Sequence, residues 1–317
     1  MASDCSPADA SVSPAAKEIC DGLDQNCNGS TDELCTCPTG TTRVDLAVGF
    51  LCVPDLPVWG IGPDDPGPLL VVGSGPTAGT ATDTVTGLMW QQTWDSGKNW
   101  LDAQKYCHAQ VTGGFSDWRL PTIAELASVR NLTKAPMLPS AFSGPQGAMW
   151  SAVPSPGSFK PGWYYTLSGS HGLIEVVLGS TTAINYRCVR GMPAKSVPKV
   201  RFTYDKATSI ASDALTGLQW YVQSKVPIIQ PDAKLWCSTL QQDGKGWRLP
   251  KLQEVESLLN RANYLPALDP VMGSLNMSAH WSSNVHPSSG DGLLAGFNNS
   301  LSTMYAPTTT ANAICVR

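Results

Sequence analysis

The chain has 317 residues, more than one hydrophobic core usually organises, with a net charge of −4 and 15% charged residues, where about 25% is ordinary. No stretch concentrates Lys or Arg, which excludes the electrostatic footprint of a nucleic-acid binder, and no apolar run approaches the roughly 20 residues of a membrane-spanning helix. The 29 glycines, 25 prolines and 11 tryptophans predict a loop-rich fold of short strands anchored by aromatic side chains.

In chain order, residues 1–17 are Ser/Ala/Pro-rich and expected to be flexible. Their start, Met1-Ala2-Ser3-Asp4-Cys5, shows neither the basic nor the apolar region of a signal peptide. Residues 18–53 form a cysteine-rich segment. Six of the ten cysteines precede residue 53, and the other four divide two and two between the later halves. That partition predicts disulfides made in an oxidising compartment, hence an extracellular or cell-surface protein. Residues 54–68, with Pro54, Pro57, Pro63, Pro66 and Pro68, read as a stiff linker.

From residue 69 the chain repeats itself. Gly87-Leu88, Trp90, Cys107, Trp118-Arg119-Leu120-Pro121, Glu125, Trp150-Ser151 and Cys188-Val189-Arg190 return as Gly217-Leu218, Trp220, Cys237, Trp247-Arg248-Leu249-Pro250, Glu254, Trp281-Ser282 and Cys315-Val316-Arg317. The offset drifts only from 130 through 129 and 131 to 127. A period this long predicts two tandem domains, 69–192 and 193–317, because solenoid repeats run roughly 20–50 residues. Each is expected to be a closed unit with its own core.

Each repeat opens on a β run, Leu69–Val72 or Val200–Tyr204. A turn follows in which Asp83 and Thr86, or Asp213 and Thr216, bond nearby backbone while Gly87 or Gly217 supplies the φ. A helix is predicted from Asn99 to Ala109, with Trp100, Ala103 and Cys107 on one face. Its counterpart has Pro231 near its first position and Ala233, Trp236, Cys237 and Leu240 turned inward. A second helix starts after Trp-Arg-Leu-Pro, and Thr122 with Glu125 makes a capping box. Repeat two keeps Glu254 but has Lys251 for the threonine, a loss of about 1 kcal/mol that Val255, Leu258 and Leu259 can offset by packing. Trp118 and Trp247 are expected beneath this second helix, with Arg119 and Arg248 paired to a carboxylate or capping strand carbonyls. Beyond it both copies become long, Gly/Ser/Pro-rich and strand-like.

The repeated string Asp-x-x-Thr-Gly-Leu-x-Trp, mid-helix Cys, Trp-Arg-Leu-Pro, Trp-Ser and terminal Cys-Val-Arg resembles the Lcl C-terminal domain family, named for a bacterial collagen-like adhesin. Its Arg-Leu-Pro-Thr-x-x-Glu element is also similar to the formylglycine-generating fold, a relative of C-type lectin-like domains. The resemblance implies an α+β protein of two tandem C-type lectin-like modules, each with two helices, a small twisted antiparallel sheet and long loops. It implies a helix-to-last-strand disulfide in each, Cys107–Cys188 and Cys237–Cys315. Residues Glu18 to Glu33 are similar to a metal-binding motif named after MopE.

On chemistry alone, Asp24, Asn26 and Asn28 space oxygen ligands at alternate positions, and Gly29 permits the sharp turn of a calcium loop. The twelfth-position glutamate of such a loop is replaced by Cys35, so Asp32, Glu33 and Asp21 must supply charge. A Cys20–Cys27 disulfide would remove the thiolates and favour calcium over copper or zinc. The alternative is an Asx-rich knot held by disulfides alone. No organic cofactor is expected.

Gln230-Pro231-Asp232 matches a lectin tripeptide but lies at a helix start, so it reads as a helix N-terminus. His280 and His286 flank Trp281-Ser282 and are expected at the surface or a strand end, with a second metal or a sugar contact conceivable. No nucleophile–base constellation is visible, so no enzyme is expected. An oxidase-like activity would need reactive cysteines that each repeat spends on its bridge. The copies differ most over 150–187 and 276–312. Trp163, Tyr164, Asn298 and Tyr305 are therefore the candidate ligand contacts, although Trp163 and Tyr165 could instead pack inward. The leading expectation is a secreted or cell-surface adhesin binding a glycan or surface protein. The alternative is a self-associating subunit of an extracellular assembly.

Overall fold

The computed structural model describes residues 13–14, 26–29, 41–45, 50–54, 68–134, 137–143, 147–154, 163–168, 172–179, 181–192, 198, 200–261, 268–272, 275 and 277–317. Before the repeats, β1 (Thr41–Asp45) and β2 (Phe50–Pro54) pair antiparallel, a hairpin that the cysteine spacing did not suggest.

Repeat one runs β3 (Leu70–Val72), β4 (Thr80–Asp83), β5 (Met89–Gln91), β6 (Asp95–Lys98), α1 (Trp100–His108), α2 (Ile123–Ser128), β7 (Ala148–Pro154), β8 (Trp163–Ser168), β9 (Ile174–Leu178), β10 (Ile184–Tyr186) and β11 (Val189–Arg190). Repeat two follows the same order with β12 (Phe202–Asp205), β13 (Ile210–Asp213), β14 (Gln219–Ile228), α3 (Gln230–Thr239), α4 (Leu252–Ser257), β15 (Ala279–Val285), β16 (Gly292–Gly296), β17 (Ser302–Tyr305) and β18 (Ala311–Val316). The content is α+β and the sheets fall into two sets, one for each repeat. In repeat two they form one sheet of seven strands, β12-β13-β14-β18-β15-β16-β17. In repeat one the same path is split into β11-β5-β4-β3 and β6-β10-β7-β8-β9.

One side chain accounts for the split. Arg187 stands where repeat two has Ile314 and is nearly buried. Its guanidinium donates to the carbonyls of Gln91, Gln92, Thr93 and Ser143 and lies 4.1 Å from the Phe142 ring centroid. Three successive carbonyls turned onto one cation cannot alternate across a ladder, so β5 and β6 separate. Burial pushes the Arg187 pKa down to about 9, and the carbonyl cage compensates the buried charge. Ile314 needs no such partners, and β14 and β18 stay paired as single strands through two register shifts, between Tyr221 and Lys225 and between Lys225 and Ile228.

Strand alternation sends neighbouring residues to opposite faces, and each repeat buries both. In β7, Met149 and Val153 join Trp90, Ile123 and Leu126 on the α2 side, while Trp150 and Ala152 join Ala103, Cys107 and Cys188 on the α1 side. In β18, Ile314 and Val316 face α4, and Ala313 and Cys315 face α3. Trp118 and Trp247 are buried as expected, but on the α1 and α3 faces with the disulfides. Their expected place beneath the second helix belongs to Trp90 and Trp220. The chain crosses the sheet edge within Trp-Arg-Leu-Pro, and the indole precedes the crossing.

The expectation of separate cores is also corrected. Leu132, Met137 and Leu173 of repeat one lie in the same cluster as Leu252, Val255 and Phe297 of repeat two. Leu301 packs reciprocally on the repeat-one cluster. Leu173 and Leu301 hold equivalent positions: each carbonyl accepts the amide that closes its hairpin, from Ser168 and from Gly296. Equivalent turns thus insert equivalent leucines into each other's repeat, a pseudo-twofold contact. Across it the fully buried Arg130 donates to Glu256 and to the Gly172 carbonyl, and Ser302 donates to the other Glu256 oxygen. A buried pair broken on one side leaves an uncompensated charge. Glu256→Ala is therefore expected to cost about 3–5 kcal/mol in urea unfolding of the whole chain. The paired replacement of Arg130 and Glu256 by Met should cost less. Equal losses would remove this contact from the stability of the protein.

Candidate functional site

The framework shared by the repeats is built from their common motifs. Thr86 and Thr216 donate to Asp83 and Asp213, whose other oxygen accepts the amides of Val85 and Leu215. Gly87 and Gly217 follow at φ +77°, as the turn requires. Asn99 caps α1 by accepting from the Asp102 amide. Thr122 caps α2 in a full capping box with Glu125. Lys251 has no side-chain acceptor, so α4 keeps only the reciprocal half, from the Lys251 amide to Glu254.

Arg119 grips Glu125 with two bonds of 2.7 and 2.8 Å and also donates to the Leu120 and Gly191 carbonyls. Arg248 grips Glu254 at 2.6 and 2.7 Å. Beside these pairs Cys107 is bonded to Cys188 and Cys237 to Cys315. These charged and polar motif residues hold the fold together, and Glu125 and Glu254 are fully buried.

Gln230 is buried in the first turn of α3 and donates to the Ser282 and Asn284 carbonyls, as expected of a helix start. His280 lies near the start of β15, but the surface expectation is corrected. It is fully buried, stacked on Phe297 at 4.2 Å between centroids, with Nδ1 at 2.9 Å from the Ser278 carbonyl and Nε2 at 3.1 Å from the Ser224 hydroxyl. It is thus closed to a ligand or metal from solvent. His286 is also buried, its Nδ1 accepting the Ser289 amide.

Of the candidate contacts, both exposed, Asn298 lies in the β16–β17 turn, whereas Tyr305 ends β17 opposite Gly292, at the other end of that hairpin. Tyr164 is half-buried, stacked on Trp100 at 4.0 Å and edge-on to Trp150, so its ring contributes to packing. Trp163 lies in β8, and its side chain is outside the described residues.

Two clefts that the motifs did not signal open on repeat two. A cleft of about 310 Å³ is lined by Thr203, Tyr204, Asp205, Ser212, Gln219 and Asp243, among others. The amide of Ala207 and then the hydroxyl of Thr208 hold the exposed Asp205 carboxyl below its ordinary pKa. A second, of about 330 Å³, places Lys234, Arg248 and Lys251 around Leu249 with Ser238 and Ser283.

In the N-terminal segment, Asp21, Asp24, Asp32, Glu33 and Cys20 lie outside the described residues. Asn26 and Asn28 are described: the Asn28 amide donates to Asn26 Oδ1 at 3.1 Å, with Cys27 and Gly29 at φ +59° and +86°. Cys27 is disulfide-bonded. The described part therefore offers amide oxygens on a sharp turn and no thiolate, which fits an oxygen-ligated metal. Among the described residues no three His, Cys, Asp or Glu side chains gather.

With this geometry in place, comparison with protein families matches the Lcl C-terminal domain twice, over residues 79–190 and 209–317. The chain belongs to that family, and its two repeats are tandem copies of the domain. Lcl C-terminal domains point to a bacterial surface or extracellular protein. A MopE-type metal-binding motif, whose family label refers to copper, matches residues 4–33. Comparison with curated proteins returns no match. Among the described residues no helix is long and apolar enough to cross a membrane.

Burial drives the His280 pKa down to about 3, below the 6.5 of a free imidazole. Between these values the unfolded chain binds a proton that the folded chain refuses, so stability rises with pH in that window. Stability should fall by on the order of 1 kcal/mol per pH unit as pH drops from about 6.5. Replacing His280 by Gln should flatten that slope in urea titrations. An unchanged slope would assign it to other groups.

Proposed function

We propose that this chain is a secreted or surface-displayed bacterial adhesin, non-enzymatic, recognising a glycan or surface protein through two lectin-like modules. What supports this reading is the division of labour between shared and unshared residues. The charged motif side chains common to both repeats are spent on caps and ion pairs, whereas the cleft walled by Thr203, Ser212 and Asp243 and the exposed Asn298 and Tyr305 lie where the copies differ. Function on such scaffolds resides in what varies over a rigid frame, and two modules in one chain add avidity for a repetitive ligand. The N-terminal motif would hold calcium through Asp24, Asn26, Asn28 and Asp32, with Asp21 or Glu33 assisting. Oxygen donors suit that ion, and the copper in the family label makes metal identity the quantity to measure.

The experiment is a glycan array probed with the whole chain. Alanine at Asn298 or Tyr305 should weaken binding at least about fivefold, roughly 1 kcal/mol, with the melting temperature within a few degrees because both are exposed. Unchanged binding by both variants would move the contact elsewhere. EDTA should release one equivalent of calcium and expose residues 18–53 to protease while the repeats stay folded. Copper or zinc at full occupancy by elemental analysis would overturn the calcium assignment.

One observation favours the second reading, a self-associating subunit. The sheet edge β3 follows Leu69 and exposes Val71 and Val72, and a bare apolar edge invites strand pairing. Concentration-dependent filaments in electron micrographs, absent from a Val71→Lys variant, would carry that reading over the first.

A further inference from the structure

The cleft of repeat two lined by Thr203, Ser212 and Asp243 differs from the matching face of repeat one, and the difference traces to a few residues. Thr203 lies opposite Ser212 and Ser212 opposite Gln219 in the antiparallel register. Hydroxyl, hydroxyl and amide therefore form one row across β12, β13 and β14, on the face away from the Phe202 side chain. In repeat one the same register reads Val71, Thr82, Met89, a row that is apolar at both ends.

The wall of the cleft changes in step. Trp118 and Trp247 each donate to a loop carbonyl, Thr112 and Gln242 respectively. The next residue is left-handed in both repeats, Gly113 at φ +62° and Asp243 at φ +47°. Gly113 is there because its loop presses on the sheet: an added Cβ would meet Thr80 at 2.7 Å. Repeat two accepts a side chain at the same strained position. It holds Asp243 by two bonds from Arg317, to the backbone carbonyl at 2.6 Å and to the carboxylate at 3.2 Å. Gln242 ties the loop to the Thr208 carbonyl at 2.8 Å. Where repeat one closes the loop on the strands, repeat two holds it off and sets a carboxylate at the edge of the space.

Asp205 completes the set. Its oxygens accept from the Ala207 amide and the Thr208 hydroxyl, and a carboxylate offers about four lone-pair positions. Acceptor capacity thus remains at the cleft, which holds about 310 Å³, at the small end of ligand pockets. Arg317 also donates to Gln219 Oε1 at 2.8 Å, and Gln219 donates to the Ser212 hydroxyl at 3.3 Å, so the remaining capacity lies in the Thr203 and Ser212 hydroxyls and Asp205. Hydroxyls in a row beside a carboxylate, with the Arg317 charge taken up by Asp243, suit a ligand rich in hydroxyls and free of negative charge.

The geometry points to a binding site for a single neutral pyranose, a terminal or side-chain sugar of a glycan, on the β12-β13-β14 face of repeat two. This site rests on the glycan arm of the function proposed above and moves the sugar from the loops to the sheet face. Repeat one is then the module that does not bind here.

The test is backbone-amide NMR on the whole chain, titrated separately with the methyl glycosides of glucose, galactose and mannose, with N-acetylglucosamine, and with glucuronate. At least one neutral sugar should shift the amides of Thr203, Ser212, Gln219 and Asp243, while glucuronate binds at least about fivefold more weakly. Thr203→Val with Ser212→Ala should weaken the neutral sugar at least about fivefold at unchanged melting temperature. Asp205→Asn with Asp243→Asn should narrow the gap between neutral sugar and glucuronate. Shifts confined to residues 296–305 would overturn this site while leaving glycan recognition standing. No shift with any sugar, and no glycan retained on the array, would overturn both.

Discussion

A guanidinium at the rim of each repeat's sheet, buried as Arg119 and partly exposed as Arg248, needs a carboxylate, and the protein meets that need with a glutamate six residues along the chain. Glu125, three residues into α2, binds Arg119 with both oxygens, and one of the same oxygens accepts the Thr122 amide at the helix start. Arg119 also exchanges backbone bonds with Val189, next to Cys188 of the disulfide. One ion pair thus fixes the start of the second helix, the last strand and the crossing between the two faces of the sheet. Removing either partner in repeat one would strand a charge in a site of low polarity, at a cost of about 3–5 kcal/mol. Repeat two repeats the arrangement with Arg248, Glu254 and Val316. Each module tolerates a variable periphery because its centre is tied by charge, covalent bond and burial at once.

Much of this was legible in the sequence because the interactions are local. The Asp83–Thr86 turn and the Thr122–Glu125 capping box act over three residues, and spacing alone signals them; the Asn99 cap acts over the same distance and was not anticipated. The cysteine pairing followed from the family resemblance, and the structure has both bridges. What escaped was non-local. The side of the sheet taken by Trp118 depends on where the chain crosses the edge, and indole burial looks the same from either side. Arg187 carries no local signal of its role, since its four carbonyl partners lie 44 or more residues away. His280 lies between Ala279 and Trp281 in a Ser-rich stretch, and its burial is set by Phe297 and by Ser224 of β14, both distant in sequence.

The joint between the repeats was the least visible feature. Leu173 and Leu301 look like ordinary hairpin residues, and only the equivalence of their turns shows that each completes the other's core. Glu256 takes the position that Ala127 holds in repeat one, a substitution that resembles surface drift until Arg130 is found against it. Duplicated modules meet a problem that single ones avoid: two similar apolar turns must find each other within the chain rather than on a neighbour. A buried ion pair carried by unequal positions gives the contact a register, a use for which such pairs are well attested.

The same inequality bears on function. Two copies of one framework began with equivalent surfaces, and the present chain has spent them differently. Repeat one carries the buried Arg187, the split sheet and a loop closed by Gly113 against Thr80, all of which fill space. Repeat two keeps a continuous sheet, lifts the matching loop with Asp243, and lines two clefts with polar and charged side chains. Strain at a non-glycine left-handed residue persists where surrounding bonds over-determine it, and Arg317 and Trp247 supply those bonds. On this view repeat one serves as a clamp and spacer, and repeat two is the module in which a small solute finds donors and acceptors held still.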